Sequence, residues 1–408
     1  MQLRSPTQHL VLPLSRTVDA ELASDIEKHS VYVSEDLLSL SVVQNEPRVL
    51  VGYKDGADIE RLQEKLSRYL DAMLARVRRV EPAVHYQRGR RSKAIEHDVF
   101  PKLLERGWAF QHGRGMVSLS GPALTLSRVI DETFARRYRR SYAAQDRAYP
   151  AMIQAELLAR CGYFEMHPNA VSFVSHLRND FDEIESFRAV NEGASRLNVT
   201  HGGAFAPIQH CLNPAACFPC YEAFENHRIG AEGQVLTWPA RVFRYESSNL
   251  VGLDRLWEFN VRELVFLGTD AFVQAGRRKA IALIQEILDD WDLSGRIETA
   301  TDPFFATVYA SKAFWQEAMD VKYEIRLDIA PKSNGTARTV AAGSINLHGA
   351  FFGERFNIRD ANGEAAYSGC VGWGLERWVL AIFSQHGFDV QKWPERLQER
   401  VLAERDDS

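Results

Sequence analysis

A short segment near the carboxyl end, SGCVGWGLERW (368–378), carries residue types that could do chemistry at close spacing. Cys370 can bind a metal as a thiolate, and the guanidinium of Arg377 suits a phosphate group. An apolar stripe at helical spacing predicts a helix that starts after Gly374 and ends at Gly387; its members are Leu375, Trp378, Val379, Ile382 and Phe383. An arginine on the first turn of a buried helix favours an anion there, although taken alone this pattern also fits a surface salt bridge.

A second segment, residues 241–269, reads as two strands joined by a polar loop. Arg244 and Glu246 share one face of the first strand, and Phe259 and Glu263 share one face of the second. Such a hairpin offers a phosphate clamp, a platform on which a base could stack, and two carboxylates. The alternative is an amphipathic hairpin that covers a core.

The chain that must position these residues has 408 residues, 45% hydrophobic and 25% charged, which is typical of a folded protein with one large and one smaller domain. A net charge of -5 excludes an overall electrostatic preference for nucleic acid or anionic membranes. We find no signal-peptide core and no run of about 18 apolar residues. The sequence therefore predicts a cytoplasmic protein whose five cysteines are reduced.

The fold class predicted from the pattern is α+β. Short β-like runs in residues 30–53 and a helical stripe from Asp58 to Arg79 indicate a small α+β module. The resemblance described below implies an amino-terminal module at residues 1–125 and a larger domain at 126–408. In KYEIRLDI (322–329) apolar and charged residues alternate, which is typical of an antiparallel strand with one polar face above a site. No Gly-rich phosphate loop follows any predicted strand.

Two basic runs, HYQRGRRSK (85–93) and the helical segment 126–145, are interpreted either as solvated faces or as docks for an acidic partner. The residues considered for docking are Arg88, Arg90, Arg91, Arg137, Arg139 and Arg140.

At these residues the chain resembles the class II aminoacyl-tRNA synthetases. FRYE with the following RLWEF is similar to motif 2 of that family, and GWGLER is similar to motif 3. The resemblance implies a mostly antiparallel sheet flanked by helices, ATP with Mg²⁺, and a homodimer formed around residues 134–153. It also implies roles for motif residues: Arg244 on the α-phosphate and the amino-acid carboxylate, Glu246 on the adenine or amino-acid side, Arg255 on ATP, Phe259 on the adenine face and Arg377 on the triphosphate tail.

Within the class, the chain is similar to the zinc-dependent branch that includes the atypical seryl-tRNA synthetases of methanogens and the amino acid:[carrier protein] ligases. The resemblance implies that Cys217, Glu263 and Cys370 hold one Zn²⁺, with one position left open for a free α-amino group, and that Asn346 lies on the amino-acid side. Cys217 and Cys220 also form a CxxC that fits half a structural zinc site or a redox pair. Cys161, Cys211 and Cys220 are interpreted as small buried residues.

The carboxyl-terminal third, including TDPFF (301–305) and residues 344–358, resembles the carrier protein ligases. That likeness implies activation of a small amino acid, glycine, alanine or one like serine, and its transfer to the phosphopantetheine thiol of an acyl or peptidyl carrier protein. The motif 2 loop and the first 125 residues are closer to the seryl enzymes, so tRNA charging is the alternative, and a silent paralog is a third. AAGSIN (341–346) has no glutamate for Mg²⁺, and Ser344 or Asn346 takes that place.

Overall fold

The computed structural model describes residues 8–75, 83–89, 96–199, 202–300, 322–331 and 337–406. Its helices are α1 Ala20–His29, α2 Ile59–Leu74, α3 Val99–Glu105, α4 Gly121–Tyr142, α5 Ala155–Arg160, α6 Tyr163–Met166, α7 Phe181–Asn191, α8 Phe218–Ala223, α9 Asp270–Asp290, α10 Phe351–Arg355, α11 Leu375–His386 and α12 Glu395–Asp406. Its strands are β1 Gln8–Pro13, β2 Leu37–Val42, β3 Arg48–Tyr53, β4 Val84–Arg88, β5 Ala109–Gly113, β6 Met116–Leu119, β7 Gln145–Asp146, β8 Met152–Gln154, β9 Phe173–Val174, β10 His210–Leu212, β11 Gln234–Phe243, β12 Glu258–Gly268, β13 Gly295–Thr299, β14 Lys322–Ile329, β15 Arg338–Gly349 and β16 Tyr367–Gly374.

The amino-terminal part forms a small module with its own core. Three antiparallel strands in the order β1-β3-β2 pack against α1 and α2, and the buried apolar residues of this core all fall within residues 12–74. Helix α2 begins where Asp58 accepts a hydrogen bond from the Arg61 amide at 3.0 Å, an N-cap. Strand β4 and helix α3 belong instead to the large sheet and its core, so we place the boundary after Ala75 and not after residue 125.

The second unit is built on an eight-stranded sheet in the order β4-β13-β14-β15-β16-β12-β11-β7. All neighbours are antiparallel except β7 and β11. One face packs against α4, α9, α11 and α12, and the opposite face packs in part against the short helices α5, α8 and α10. The predicted α+β sheet flanked by helices is confirmed.

The register of the sheet aligns the residues that matter for a site. Glu324 of β14 lies opposite Ser344 of β15, Ser344 lies opposite Gly372 of β16, and Gly372 lies opposite Glu263 of β12. Residues directly opposite each other in antiparallel strands point to the same face. The alternating pattern of β14 is also as predicted, because Tyr323, Ile325, Leu327 and Ile329 are buried on the other face.

Helix α11 follows β16 directly and ends at His386. The next residue is Gly387, whose φ of 73° favours glycine, so it ends the helix as the sequence predicted. Its start is held by Glu376, a buried carboxylate that accepts hydrogen bonds from the amide of Asn260 at 3.0 Å and from the Asn260 Nδ2 at 2.6 Å. Burial raises the pKa of this carboxyl, and the Asn260 donors oppose that rise. Glu376 therefore ties the helix that carries Arg377 to strand β12.

We expect Glu376→Ala to lower the free energy of unfolding by about 2 kcal/mol, because two donors of Asn260 would lose their acceptor in a buried place. Urea denaturation followed by circular dichroism measures the change. Glu399→Ala, at an exposed position of α12, serves as the matched control and should stay within about 0.5 kcal/mol of the parent. Equal stabilities for the two variants would contradict this role.

The two basic runs pair largely with acidic residues of the chain itself. Arg88 is buried on β4 and binds Asp289 at 2.9 Å, so the interpretation of this residue as a docking cation is wrong. Arg137 binds Asp290 at 2.6 Å, and Arg139 binds Asp146 at 2.9 Å. Arg140 is exposed, and Arg90 and Arg91 lie outside the described residues. Partnered guanidiniums are weak candidates for steering a carrier.

The segment predicted for dimer contact, residues 134–153, contains both core and edge positions. Phe134 is buried in the chain's own core, where its ring stacks on Trp373 with centroids 4.5 Å apart. Strand β7 ends the sheet, and its two residues are exposed. The homodimer stays a prediction, and this edge is where we expect it. Of the described helices, none has the length and apolar character needed to span a membrane.

Candidate functional site

Three ionisable side chains from distant parts of the chain, two thiols and one carboxyl, meet on the sheet face that packs in part against α5, α8 and α10. Cys217 precedes α8, Glu263 lies in the middle of β12, and Cys370 lies on β16. Their two sulfurs and one carboxylate oxygen lie within 4.8 Å of one another, and all three residues are buried. Among the described residues this is the only such group of three or more side chains that could hold a metal ion. The trio predicted by resemblance is thus assembled by the fold.

The electrostatics of this trio favour a cation at its centre. Burial raises the pKa of the Glu263 carboxyl well above its usual value, the neighbouring Cys370 raises it further, and only Arg244 lowers it. The hydrogen bond with Cys217 and burial likewise raise the pKa of the Cys370 thiol. Three buried acids that cannot readily ionise beside each other can do so around a divalent cation, which removes the cost of their charges. Two thiolates and a carboxylate suit Zn²⁺, so the residues present fit that ion.

Further residues that sequence reasoning did not single out surround Cys370. The Nε2 of His348 lies 3.7 Å from the Cys370 sulfur, and the His348 Nδ1 lies 3.2 Å from the hydroxyl of Tyr221. Asn346, which was predicted on the amino-acid side, donates from Nδ2 to the same sulfur at 3.3 Å. Asn346 and His348 are two residues apart on β15, so their side chains point to the same face of the sheet. This alternation in SINLH (344–348) was the signal that could have predicted His348 beside Asn346.

Gly372 gives Glu263 the space it needs to reach the trio. A Cβ at position 372 would lie 3.0 Å from Oε2 of Glu263, closer than ordinary contact allows. We therefore expect Gly372→Ala to weaken zinc binding by about 10-fold or more, since displaced support around metal ligands has effects of this size. Competition with a chelator of known affinity measures the change. Gly89→Ala, where a Cβ would meet nothing within 4 Å, is the control; equal zinc affinity in both variants would contradict the argument.

A second group of charged residues, which we call the basic pocket, lies where β16 passes into α11 and beside the loop between β11 and β12. Arg377 is half-buried, and its guanidinium is oriented by the carbonyls of Asp254 at 2.7 Å and Ala341 at 2.8 Å. Burial lowers the pKa of Arg377, and the carboxylates of Asp254 and Glu246 act against that shift. An arginine carries five donors and remains charged in proteins, so donors are left for an anion.

Arg244 and Phe259 stand at the loop end of the hairpin formed by β11 and β12: Arg244 follows the last residue of β11, beyond the strand on which it was predicted, and Phe259 lies near the start of β12. The Arg244 guanidinium lies 5.8 Å from the centre of the Phe259 ring, and its Nε donates to the carbonyl of Pro214 at 2.8 Å. Arg244 is exposed, and its charge lowers the pKa of Glu263 in the trio. The same guanidinium also acts on the pKa of Arg377, so Arg244 lies within electrostatic reach of both the trio and the basic pocket.

Glu246 and Arg255 form an ion pair with each other, both partly buried. Burial alone would raise the pKa of Glu246, but the guanidiniums of Arg255 and Arg377 outweigh it and hold the pKa of that carboxyl below its usual value. Glu246 is thus ionised and holds Arg255 within electrostatic reach of Arg377. The structure brings the predicted ATP-binding residues Arg255, Glu246 and Arg377 together.

Magnesium fits the residues of β15 less well than zinc fits the trio. Ser344 and Asn346 offer no carboxylate, and the Asn346 Nδ2 donates to the Ser344 hydroxyl at 3.1 Å. The carboxylate opposite Ser344 is Glu324, which already binds Arg326 at 2.8 Å. The expectation that Ser344 or Asn346 takes the place of a magnesium ligand finds no support in this arrangement.

The remaining cysteines lie outside the trio. Cys161, Cys211 and Cys220 are buried, as predicted. Cys220 interacts with the hydroxyl of Tyr149, and burial raises the pKa of its thiol to about 12, which disfavours a redox role for the CxxC. TDPFF (301–305) lies outside the described residues.

Comparison with known proteins gives consistent matches. Residues 208–386 match the family described as tRNA synthetase class II core domain (G, H, P, S and T). Amino acid–[acyl-carrier-protein] ligase 1 of Bradyrhizobium diazoefficiens is 32% identical over 256 residues, 62% of this chain and 74% of that protein. The type-2 serine–tRNA ligase of Methanocaldococcus jannaschii is 28% identical over 318 residues, 74% of this chain. The chain spans only 58% of the length of that tRNA ligase.

Solved structures agree on the fold. M. kandleri SerRS, in a complex with A. aeolicus tRNASec, superposes with a TM-score of 0.69 at 23% identity and covers 96% of this chain and 77% of its own. Giardia lamblia prolyl-tRNA synthetase with prolyl-adenylate gives a TM-score of 0.56 at 14% identity over 74% of this chain and 54% of its own.

Proposed function

Because the chain belongs to the class II aminoacyl-tRNA synthetase family, in the branch that includes type-2 serine–tRNA ligases and amino acid–[acyl-carrier-protein] ligases, we propose that it activates a small amino acid with ATP and passes it to the phosphopantetheine thiol of a carrier protein. The observation that carries this proposal is the buried trio Cys217, Glu263 and Cys370, with Arg244 close enough to act electrostatically on both Glu263 of the trio and Arg377 of the basic pocket. The carrier as acceptor is supported by two ligases that are 32% and 34% identical to this chain.

The trio would hold Zn²⁺, and the ion would bind the unprotonated α-amino group of the substrate in its open position. Asn346 and His348 lie close to the Cys370 sulfur, and this crowding supports a substrate with a short side chain. We propose glycine, alanine or serine, in keeping with the resemblance to the carrier protein ligases.

In the first step the amino-acid carboxylate attacks the α-phosphorus of ATP, a new P–O bond forms, and the bond to the bridging oxygen breaks to release pyrophosphate. Arg244 neutralises charge on the α-phosphate and orients the carboxylate, and Phe259 supports the adenine. Arg377 and Arg255 hold the departing pyrophosphate. The residues act by positioning and by charge neutralisation, so no protein nucleophile is needed.

In the second step the carrier thiol, as a thiolate, attacks the carbonyl carbon of the mixed anhydride. A thioester forms, the C–O bond breaks, and AMP leaves with the electron pair. Arg244 can stabilise the leaving phosphate.

Amino-acid-dependent exchange of pyrophosphate into ATP tests the activation step. With the zinc-loaded protein we expect exchange with glycine, alanine or serine, and none with their N-acetyl derivatives, because an acylated nitrogen cannot bind the metal. Removal of zinc by a chelator should abolish exchange, and added zinc should restore it. Equal exchange with N-acetyl substrates, or full exchange after zinc removal, would contradict the proposal.

Charging of tRNA is a second candidate, and one observation favours it. The type-2 serine–tRNA ligase of Methanopyrus kandleri matches 81% of this chain, an extent that must include part of the first 125 residues, whereas the carrier protein ligases match 60% to 62%. The activation chemistry is the same in both cases, and only the acceptor differs.

A further inference from the structure

The amino-terminal module contacts the basic pocket directly. The Nδ2 of Asn249 donates to the backbone carbonyl of Lys28 at 3.1 Å. A 3₁₀ turn at Ser30–Tyr32 packs against a second 3₁₀ turn at Ser247–Asn249, which begins immediately after Glu246. The module is therefore joined to the loop that carries the Glu246–Arg255 pair.

The backbone at this junction is held in an uncommon conformation. Ser247 has a φ of 51°, in the left-handed region that residues other than glycine seldom adopt. Such a conformation persists where surrounding contacts stabilise it, and it often marks a functional site. The contacts made with this turn by the amino-terminal module come from Lys28 in the last turn of α1 and from the Ser30–Tyr32 turn.

Lys28 lies beside the basic pocket, because its carbonyl accepts from Asn249 in the loop that follows Glu246. Its half-buried ammonium is close enough to Asp25, Arg255, Glu246 and Glu324 to interact with their charges. Burial lowers the pKa of this ammonium, and Arg255 lowers it further. Within the described residues these carboxylates act on the ammonium through their charges, and none of them forms an ion pair with it at contact distance.

Tyr32 belongs to the same junction and shares a partner, Asn249, with the Lys28 backbone. Its side chain interacts with those of Asn169 and Asn249 and is close to the Glu246–Arg255 pair. Asn249 thus contacts the module at two points, the Lys28 carbonyl and the Tyr32 hydroxyl.

The charges around the pocket explain what such a lysine would do. Arg377 and Arg255 already supply positive charge, and Glu246 and Asp254 offset part of it. A further cation near Arg255 costs free energy through like-charge repulsion and lost hydration. A polyphosphate anion would offset both costs, whereas a purely structural lysine would be expected to pair with a carboxylate.

We propose that Lys28 is a phosphate-binding residue of the nucleotide pocket, contributed by the amino-terminal module, and that Tyr32 positions it through their shared partner Asn249. This inference rests on the proposed use of ATP and deepens it. The module then serves nucleotide binding whichever acceptor follows, and it is not only an arm for the acceptor.

The test is ATP binding to the full-length protein by calorimetry, with Lys28→Met, Lys28→Arg and Tyr32→Phe beside the parent. We expect Lys28→Met to weaken ATP binding by about 10- to 100-fold, the usual effect of losing a charge-assisted hydrogen bond, and to leave adenosine binding and zinc content unchanged. Lys28→Arg should restore most of the affinity. Tyr32→Phe should raise the KM for ATP several-fold with little change in kcat. Lys54→Met, at an exposed lysine of the same module, is the control and should bind ATP like the parent.

The outcomes separate this inference from the proposed function. Unchanged ATP affinity in Lys28→Met, in a protein that exchanges pyrophosphate normally, overturns the role of Lys28 alone. A parent protein that binds ATP through Lys28 but activates no amino acid supports the role of Lys28 and overturns the proposed reaction. A parent protein that binds no ATP overturns both. Equal losses in Lys28→Met and Lys28→Arg, with adenosine binding also lost, would indicate damage to the module and also overturn the inference.

Discussion

A protein in which Cys370 is replaced by serine is expected to lose its zinc and its ability to activate any amino acid. Cys370, Cys217 and Glu263 have their ligand atoms within 4.8 Å of one another. A serine hydroxyl does not ionise as a thiol does and is a poor zinc ligand. We expect zinc affinity to fall by at least about 100-fold, since even the loss of partners around the ligands costs 10- to 100-fold. Pyrophosphate exchange should fall in parallel.

The matched control is Cys211→Ser. Cys211 is also fully buried, in the same apolar cluster as Cys370, but it lies outside the trio. It therefore reports the cost of placing a hydroxyl in that cluster without removing a metal ligand. Zinc content measured by mass spectrometry separates the two variants. A Cys370→Ser protein that retained stoichiometric zinc and full activity would refute the assignment of the trio.

The second large effect is expected for Arg377→Met. The carbonyls of Asp254 and Ala341 orient this guanidinium toward the basic pocket, so its remaining donors are already in place for a triphosphate. Loss of one such preorganised group should lower kcat/KM for adenylate formation by about 100- to 1000-fold. Lysine should not replace it, because an ammonium lacks the planar fork of donors. Zinc content should stay at one per chain, which distinguishes this defect from that of Cys370→Ser.

Arg241→Met is the control for Arg377→Met. Arg241 lies on strand β11 of the same hairpin, is exposed, and binds Glu258 at 2.5 Å. Its loss should change adenylate formation by less than about threefold, as expected of a surface ion pair. Thermal unfolding of each variant checks that the fold is intact. A similar small effect for both arginines would remove Arg377 from the nucleotide site.

The local pattern of the chain predicts much of what the structure contains. Alternation in KYEIRLDI predicts which residues of β14 are buried, and the stripe after Gly374 predicts helix α11, since both depend on periodicity alone. The ligand trio was expected from resemblance, and the register of β12 against β16 explains it, because Glu263 lies opposite Gly372, two residues beyond Cys370.

Contacts between distant segments are what local patterns do not contain. A basic run has the same sequence pattern whether it lies on a solvated face or on a strand that is paired within the fold. Arg88 lies on such a strand and binds Asp289, which is 201 residues later in the chain. The boundary of the amino-terminal module depends on which sheet β4 joins, which no local pattern states. The contact of Lys28 with the loop after Glu246 likewise depends on how the amino-terminal module, which has its own hydrophobic core, packs against the rest of the chain.

The most direct test of the central claim is a single reaction that contains the zinc-loaded protein, ATP, Mg²⁺, a labelled mixture of amino acids and two acceptors. These are total tRNA and the organism's own holo carrier proteins. We predict that label enters a carrier protein alone, as a thioester that hydroxylamine releases, and that its amino acid is glycine, alanine or serine. Label on tRNA, with none on the carrier proteins, would contradict the account and make the chain a tRNA ligase.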